Sequence, residues 1–195
     1  MNLWLKIGLL AAAQLAALAA MIADKQWTLN TGTQVVLQTE PVDPRSLFMG
    51  DYARLNYAIS RLRLDGDEGI GGDKEFARHD AVWVALRPDP AGARAVSVHR
   101  ERAAVPPGLL ALKGEVLYVS DYDWDRVTSK SIKRRTLQVR YGIEQYYVQE
   151  GTGRQIERPQ GGEKVSILAA VDARGKAGIV GVLLDGQMKY RETLF

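Results

Sequence analysis

The sequence predicts a mainly β protein behind one amino-terminal membrane helix, and three observations support this. Residues 3–23 form an apolar run interrupted by Lys6 and Gln14. Most of the chain beyond that run alternates apolar and polar side chains with period two, which marks strands with one buried face. Cysteine is absent, so neither disulfides nor thiolate metal sites shape the fold.

At about 1.5 Å per residue the run is long enough to cross a hydrocarbon core of about 30 Å. Trp4 and Trp27 bracket it where interfacial indoles concentrate, and Lys6 lies close enough to the end to reach the headgroups. The balance of flanking charge favours the amino terminus on the cytoplasmic side. A cleaved secretory signal is the competing reading, because Ala17-Leu18-Ala19 fits a small-x-small cleavage site. Both readings put the remainder of the chain outside the cytoplasm, with the uncleaved form single-pass in the inner membrane. A buried soluble helix fits less well, since the run is apolar on every face. Ala12, Ala16 and Ala20 also align at every fourth residue, as do Ala13 and Ala17, a spacing that lets a second membrane helix approach.

Residues 1–25 are thus expected to be anchor or signal, and residues 26–195 one extracytoplasmic domain large enough to bury a core. With 26 basic against 23 acidic residues, the net charge of +3 falls short of the stripe that nucleic-acid binding requires. It suits a surface near anionic lipid.

In chain order, residues 33–40 read as a strand and residues 51–64 as a longer one, with Ala53, Leu55, Tyr57 and Ile59 on one face opposite Tyr52, Arg54 and Asn56. Residues 65–73, rich in glycine and acid, read as a loop. Residues 81–87 and 93–102 form a hairpin pair around Pro88, Pro90 and Gly92. Residues 109–120 and 135–143 continue the series, separated by the polar stretch 121–133. Residues 165–172 and 177–185 make the clearest hairpin, closed around Ala173, Arg174 and Gly175. Residues 151–158 are the one short helix expected outside the membrane. The inventory implies an antiparallel sandwich or partly open barrel.

Between the first two strands lies Asp43-Pro44-Arg45, followed by Gly50-Asp51-Tyr52-Ala53-Arg54-Leu55-Asn56-Tyr57. The second segment reads Gly-Asp-Tyr-x-x-Leu-x-Tyr and closely resembles the bacterial membrane-anchored GDYXXLXY family. All five named positions match, and the preceding Asp-Pro-Arg and the later Tyr141-Gly142-Ile143-Glu144 stretch extend the resemblance over most of the chain. The resemblance implies a single-span protein with a multi-span membrane protein as partner. It carries no activity across.

The motif also has a physical reading. Pro44 fixes a corner and pushes Asp43 toward extended backbone. Gly50 permits a positive φ, and Asp51 can pin the turn by accepting backbone donors. Leu55 and Tyr57 belong to the core, whereas Tyr52, Arg54 and the Asp43 to Arg45 corner form a candidate binding surface.

Catalytic and metal signals are weak. Compared with type I signal peptidases, the position expected for the serine nucleophile holds Val42, Ser46 lacks the right context, and Lys133 sits among surface cations. Asp121, Asp123 and Asp125 imitate the start of a calcium loop, but Arg126 and Ile132 replace the glycine and glutamate that complete it. His79 and His99 are too few for a zinc set. No cofactor is expected. Residues 130–135 form a basic run suited to phosphates or to a solvated edge, with Tyr141, Tyr146 and Tyr147 as packing aromatics. Glu150 is placed to stabilise a helix start. These features favour a non-enzymatic accessory subunit contacting a membrane partner. The alternative is a tethered hydrolase using Asp43, Asp51 and Glu150.

Overall fold

The computed structural model describes residues 3–40, 52–65, 69–125, 130–147 and 163–192. Asp43, Arg45, Gly50, Asp51, Glu150 and the short helix expected at 151–158 lie outside them.

Helix α1 spans Leu3–Thr31, running on beyond the apolar segment. Alanine and leucine, both strong helix formers, dominate it. It ends at Gly32, whose N–H donates to the Thr28 carbonyl at 3.0 Å. The backbone there passes so close to its neighbours that a Cβ would lie 2.6 Å from the Thr28 carbonyl oxygen and 2.9 Å from the Val171 nitrogen. Glycine is what lets the chain leave the helix and enter the sheet at once.

Thirteen strands come after it among the described residues: β1 (Thr33–Glu40), β2 (Tyr52–Arg54), β3 (Asn56–Tyr57), β4 (Arg61–Arg63), β5 (Gly71–Gly72), β6 (Ala81–Arg87), β7 (Arg94–His99), β8 (Leu110–Asp125), β9 (Lys130–Arg140), β10 (Gln145–Tyr147), β11 (Val165–Val171), β12 (Ala177–Leu184) and β13 (Gln187–Arg191). They form a five-stranded sheet in the order β13-β12-β11-β1-β3 and a six-stranded sheet in the order β4-β9-β8-β6-β7-β5, with β10 and β2 pairing separately. Pairing is antiparallel except between β5 and β7. The architecture is thus mainly β, with two sheets and no closed barrel. Leu37, Tyr57, Val84, Leu112, Leu137 and Ile167 come from both sheets into one buried cluster. Each such side chain contributes about 1.5–3 kcal/mol when fully buried.

Four expectations need correction. The loop expected over 65–73 carries β5 on the edge of the six-stranded sheet. The single strand expected over 51–64 is broken: β2 pairs with β10, β3 with β1, and β4 with β9, with a 3-10 turn at Ala58–Ser60 between the last two. Its period-two pattern survives because Leu55, Tyr57 and Ile59 all enter the core, while the backbone hands its ladder from one partner to the next. The polar stretch 121–133 is largely strand, because β8 and β9 extend into it. Its polarity reflects position: β6 pairs with β8 as far as Glu115 and β4 pairs with β9 from Thr136, so among the described residues the far ends form a two-stranded arm. The hairpin strand expected over 93–102 stops at His99 and is followed by a 3-10 turn at Arg102–Ala104.

β13 joins β12 through a two-residue turn. Leu184 and Gln187 close it, and Asp185 and Gly186 have φ of 47° and 79°. Two positive φ values at an Asp-Gly pair give the twist that a tight hairpin needs.

Candidate functional site

The described part of the motif is fastened to the turn at residues 141–144. The Leu55 N–H donates to the Glu144 carbonyl at 2.8 Å. The Tyr57 hydroxyl donates to the Ile143 carbonyl at 2.5 Å, and the Tyr141 hydroxyl donates to the Ile59 carbonyl at 2.6 Å. The Glu144 carboxylate holds the turn in shape by accepting from the Tyr141 N–H at 2.6 Å and the Gly142 N–H at 2.9 Å. Burial, reinforced by the nearby Glu144 charge, pushes both phenols well above their ordinary range. At neutral pH they are therefore hydrogen-bond donors, not nucleophiles.

The structure thus brings Leu55 and Tyr57 into the core. Arg54 is exposed, and Tyr52 shares the β2 ladder opposite Tyr147. Tyr141 and Tyr146 are buried, whereas Tyr147 is exposed.

A second constellation surrounds the root of α1. Asp172, at the end of β11, keeps its side chain buried and gathers donors from three directions. Its Oδ1 accepts from the Arg174 N–H at 2.9 Å and the Lys176 N–H at 3.0 Å. Its Oδ2 accepts from the Thr28 hydroxyl at 2.9 Å and from Arg174 Nη2 at 2.7 Å. Arg174 Nη1 continues to Asp24 Oδ1 at 2.7 Å, and Lys176 Nζ also pairs with Asp24. Burial pushes the Asp172 carboxyl up, but Arg174, the Lys176 N–H and Thr28 outweigh it and hold the pKa below the ordinary value. Leu29 packs over Gly178, where a Cβ would lie 2.9 Å from its Cδ2. The helix end and the sheet are therefore joined by packing as well as by charge.

Between these two constellations lies an open cleft of about 910 Å³. Arg174 and Lys176 from the root, Tyr141 and Glu144 from the motif turn, and Lys113 and Arg140 from the six-stranded sheet line it. Glu115 Oε1 lies 2.8 Å from His79 Nδ1, and Glu115 Oε2 accepts from Arg140 Nη2 at 2.8 Å. The bond to His79, then that to Arg140, lowers the Glu115 pKa. His79 has a φ of 71°, in a region where histidine is tolerated better than most side chains. The Lys113 ammonium lies 5.7 Å from the centroid of the Trp83 ring. Among the described residues the lining's charged side chains are Lys113, Glu115, Arg140, Glu144, Arg174 and Lys176, and the Tyr141 hydroxyl is already engaged.

Of the aspartates with calcium-like spacing, Asp121 and Asp123 differ in exposure. Asp123 is buried, with Arg63 Nε 3.1 Å from its Oδ2 and Arg61 bonded to its Oδ1. Asp121 is exposed on the arm. Asp123 is thus a counterion for two β4 arginines and not the solvated residue its surroundings suggest. His99 contacts Ser97 at 2.8 Å. Among the described residues no group of three or more histidine, aspartate or glutamate side chains converges on a metal-sized site.

Asp24, Thr28, Asp172, Lys176 and Glu115 belong to no sequence motif. One local signal is legible: aspartate two residues before Arg174 and three before Gly175 is a side-chain-pinned turn.

No curated protein and no solved structure matches the chain. The family model described as GDYXXLXY protein matches residues 14–182, from within α1 to within β12. The match spans the motif, the turn that receives it and the helix root, and the chain belongs to the GDYXXLXY family.

Proposed function

We propose that this protein is a non-enzymatic accessory subunit: a single helix anchors it in the inner membrane, and its extracytoplasmic β domain engages a multi-span membrane protein. The observation that carries this reading is the root of α1. A helix long and apolar enough to cross a bilayer continues without a break into a charged segment tied to the β domain by Asp24, Thr28 and Asp172. A tether built only to retain a domain needs no fixed angle between helix and domain. A subunit that must meet a partner both inside and above the membrane does. The alanine face at Ala12, Ala16 and Ala20 supplies the first surface, and Tyr52, Arg54 and the Asp43 to Arg45 corner supply the second. Asp51 is assigned to the corner that presents this surface.

The test is site-specific photocrosslinking in intact membranes, with the probe at Ala16 and separately at Arg54. Both probes are expected to capture the same multi-span protein, and Asp51→Asn is expected to reduce the yield from Arg54 without affecting that from Ala16. Capture of lipid alone at both positions overturns the reading. A tail-fused alkaline phosphatase is expected to be active and a tail-fused green fluorescent protein dark. The reverse pattern overturns the topology.

A further inference from the structure

Asp24 is the first charged residue beyond the apolar run, so a helix that spans the bilayer places it at headgroup depth. Arg174 and Lys176 are paired with Asp24 and also line the cleft that contains Lys113 and Arg140. The depth of the helix thereby fixes the height of the cleft, which rests on the reading of α1 as a span. Trp27 is exposed less than one turn beyond Asp24, at the level where indoles favour the interface.

Most charges around the cleft are committed. Arg174 divides its donors between Asp172 and Asp24, and Lys176 is held by Asp24. The Glu144 carboxylate is occupied by two backbone N–H groups, and Glu115 lies between His79 and Arg140. Two cations retain capacity. Lys113 stands over the Trp83 ring and makes no ion pair among the described residues, and Arg140 commits Nη2 to Glu115 with the Glu144 charge also acting on it. An arginine and a lysine lining one open cleft, set at the bilayer surface, match a single phosphodiester anion.

The geometry points to this cleft as a seat for the phosphate of an anionic phospholipid headgroup, clasped by Lys113 and Arg140 and held at bilayer height by Arg174 and Lys176 through Asp24. Bound there, the lipid bridges the six-stranded sheet and the helix root, and it sets the tilt of the β domain over the membrane. A zwitterionic lipid gains less, because its own cation faces the same two side chains.

The full-length protein in detergent is titrated with phosphatidylglycerol and with phosphatidylcholine, and bound lipid is counted by native mass spectrometry. One phosphatidylglycerol is expected to be retained about tenfold more tightly than phosphatidylcholine, with the preference shrinking as salt is raised. Lys113→Gln and Arg140→Gln are each expected to weaken phosphatidylglycerol about fivefold, and about twentyfold together, with phosphatidylcholine unchanged. Lys113→Arg, which keeps the charge, and Arg102→Gln, which removes an exposed one elsewhere, retain the preference. Equal retention of the two lipids, or an undiminished preference in a double variant that still melts cooperatively, overturns the inference. So does glycerol phosphate competing as well as the intact lipid, since the ligand is then a free phosphate. Alkaline carbonate extraction of the reconstituted protein distinguishes failure of the span from failure of the lipid seat. Release from the vesicles removes the span and the inference with it, whereas retention without a lipid preference removes the inference alone.

Discussion

The motif lock and the helix root each fasten a segment to the β domain, and they do so with opposite chemistry. The lock is dry: Tyr57 is fully buried, Tyr141 nearly so, and each phenol donates to a main-chain carbonyl. The root is half-wet and charged, with one buried carboxylate gathering donors while Arg174, Lys176 and Asp24 stay partly in solvent. A lock of that kind draws its strength from area removed from water and is indifferent to salt. The root depends on the ionisation of Asp172 and Asp24. The described end of the family motif, Leu55 and Tyr57, is therefore packed into the core, and the part that orients the domain on its helix carries no motif.

The largest expected effect comes from emptying the lock. Tyr57→Ala removes a fully buried aromatic and leaves a cavity, for a loss of about 3–5 kcal/mol in denaturant unfolding. Tyr57→Phe retains the ring but strands the Ile143 carbonyl, for about 1–2 kcal/mol. If the two variants lose the same amount, the hydroxyl and not the packing holds the lock, and the contrast with the root disappears.

Asp172→Ala ranks next at about 2–4 kcal/mol, because Thr28, Arg174 and two backbone N–H groups lose their acceptor together. Spin labels at Gln26 and Lys189 are expected to show a broadened distance distribution in this variant and an unchanged one in Tyr57→Phe. Acid sharpens the difference. Because the folded pKa of Asp172 is depressed, its contribution is present above the ordinary value of 3.8 and is lost as pH falls through the lower folded value. The label distances are thus expected to broaden below about pH 3.8 in the wild type and to show a smaller step in Asp172→Ala, where of the two carboxylates Asp24 alone still titrates.

The two regions are unequally legible in the sequence, for physical reasons. Leu55, Tyr57 and Ile59 declare themselves because burial writes a period-two pattern. That pattern could not show that β2, β3 and β4 take three different partners, since ladder pairing leaves no trace in side-chain polarity. β13 is readable from Asp185-Gly186, a pair suited to two positive φ values, but the alternation after it is short and its residues are mostly exposed. The arm misleads because beyond the core its apolar side chains, Tyr122 and Trp124, stand exposed among charged neighbours. The root is least legible of all: Asp24 and Asp172 are 148 positions apart in the chain, and only the fold brings them to the same arginine.

The smallest predicted effect tests whether net charge or the buried carboxylate makes the root. Lys25 Nζ reaches Glu192 Oε1 at 3.2 Å, with side chains 49% and 28% exposed, so the pair remains screened by water and salt. Lys25→Ala is expected to cost less than about 0.5 kcal/mol and to leave the label distances unchanged, because exposed pairs return little once side-chain entropy is set against them. A loss comparable to that of Asp172→Ala, abolished by high salt, would show instead that diffuse attraction between helix and sheet holds the joint. The root would then be a charged cuff of the kind that any nearby ions could loosen, and the fixed angle between helix and domain would have no structural basis.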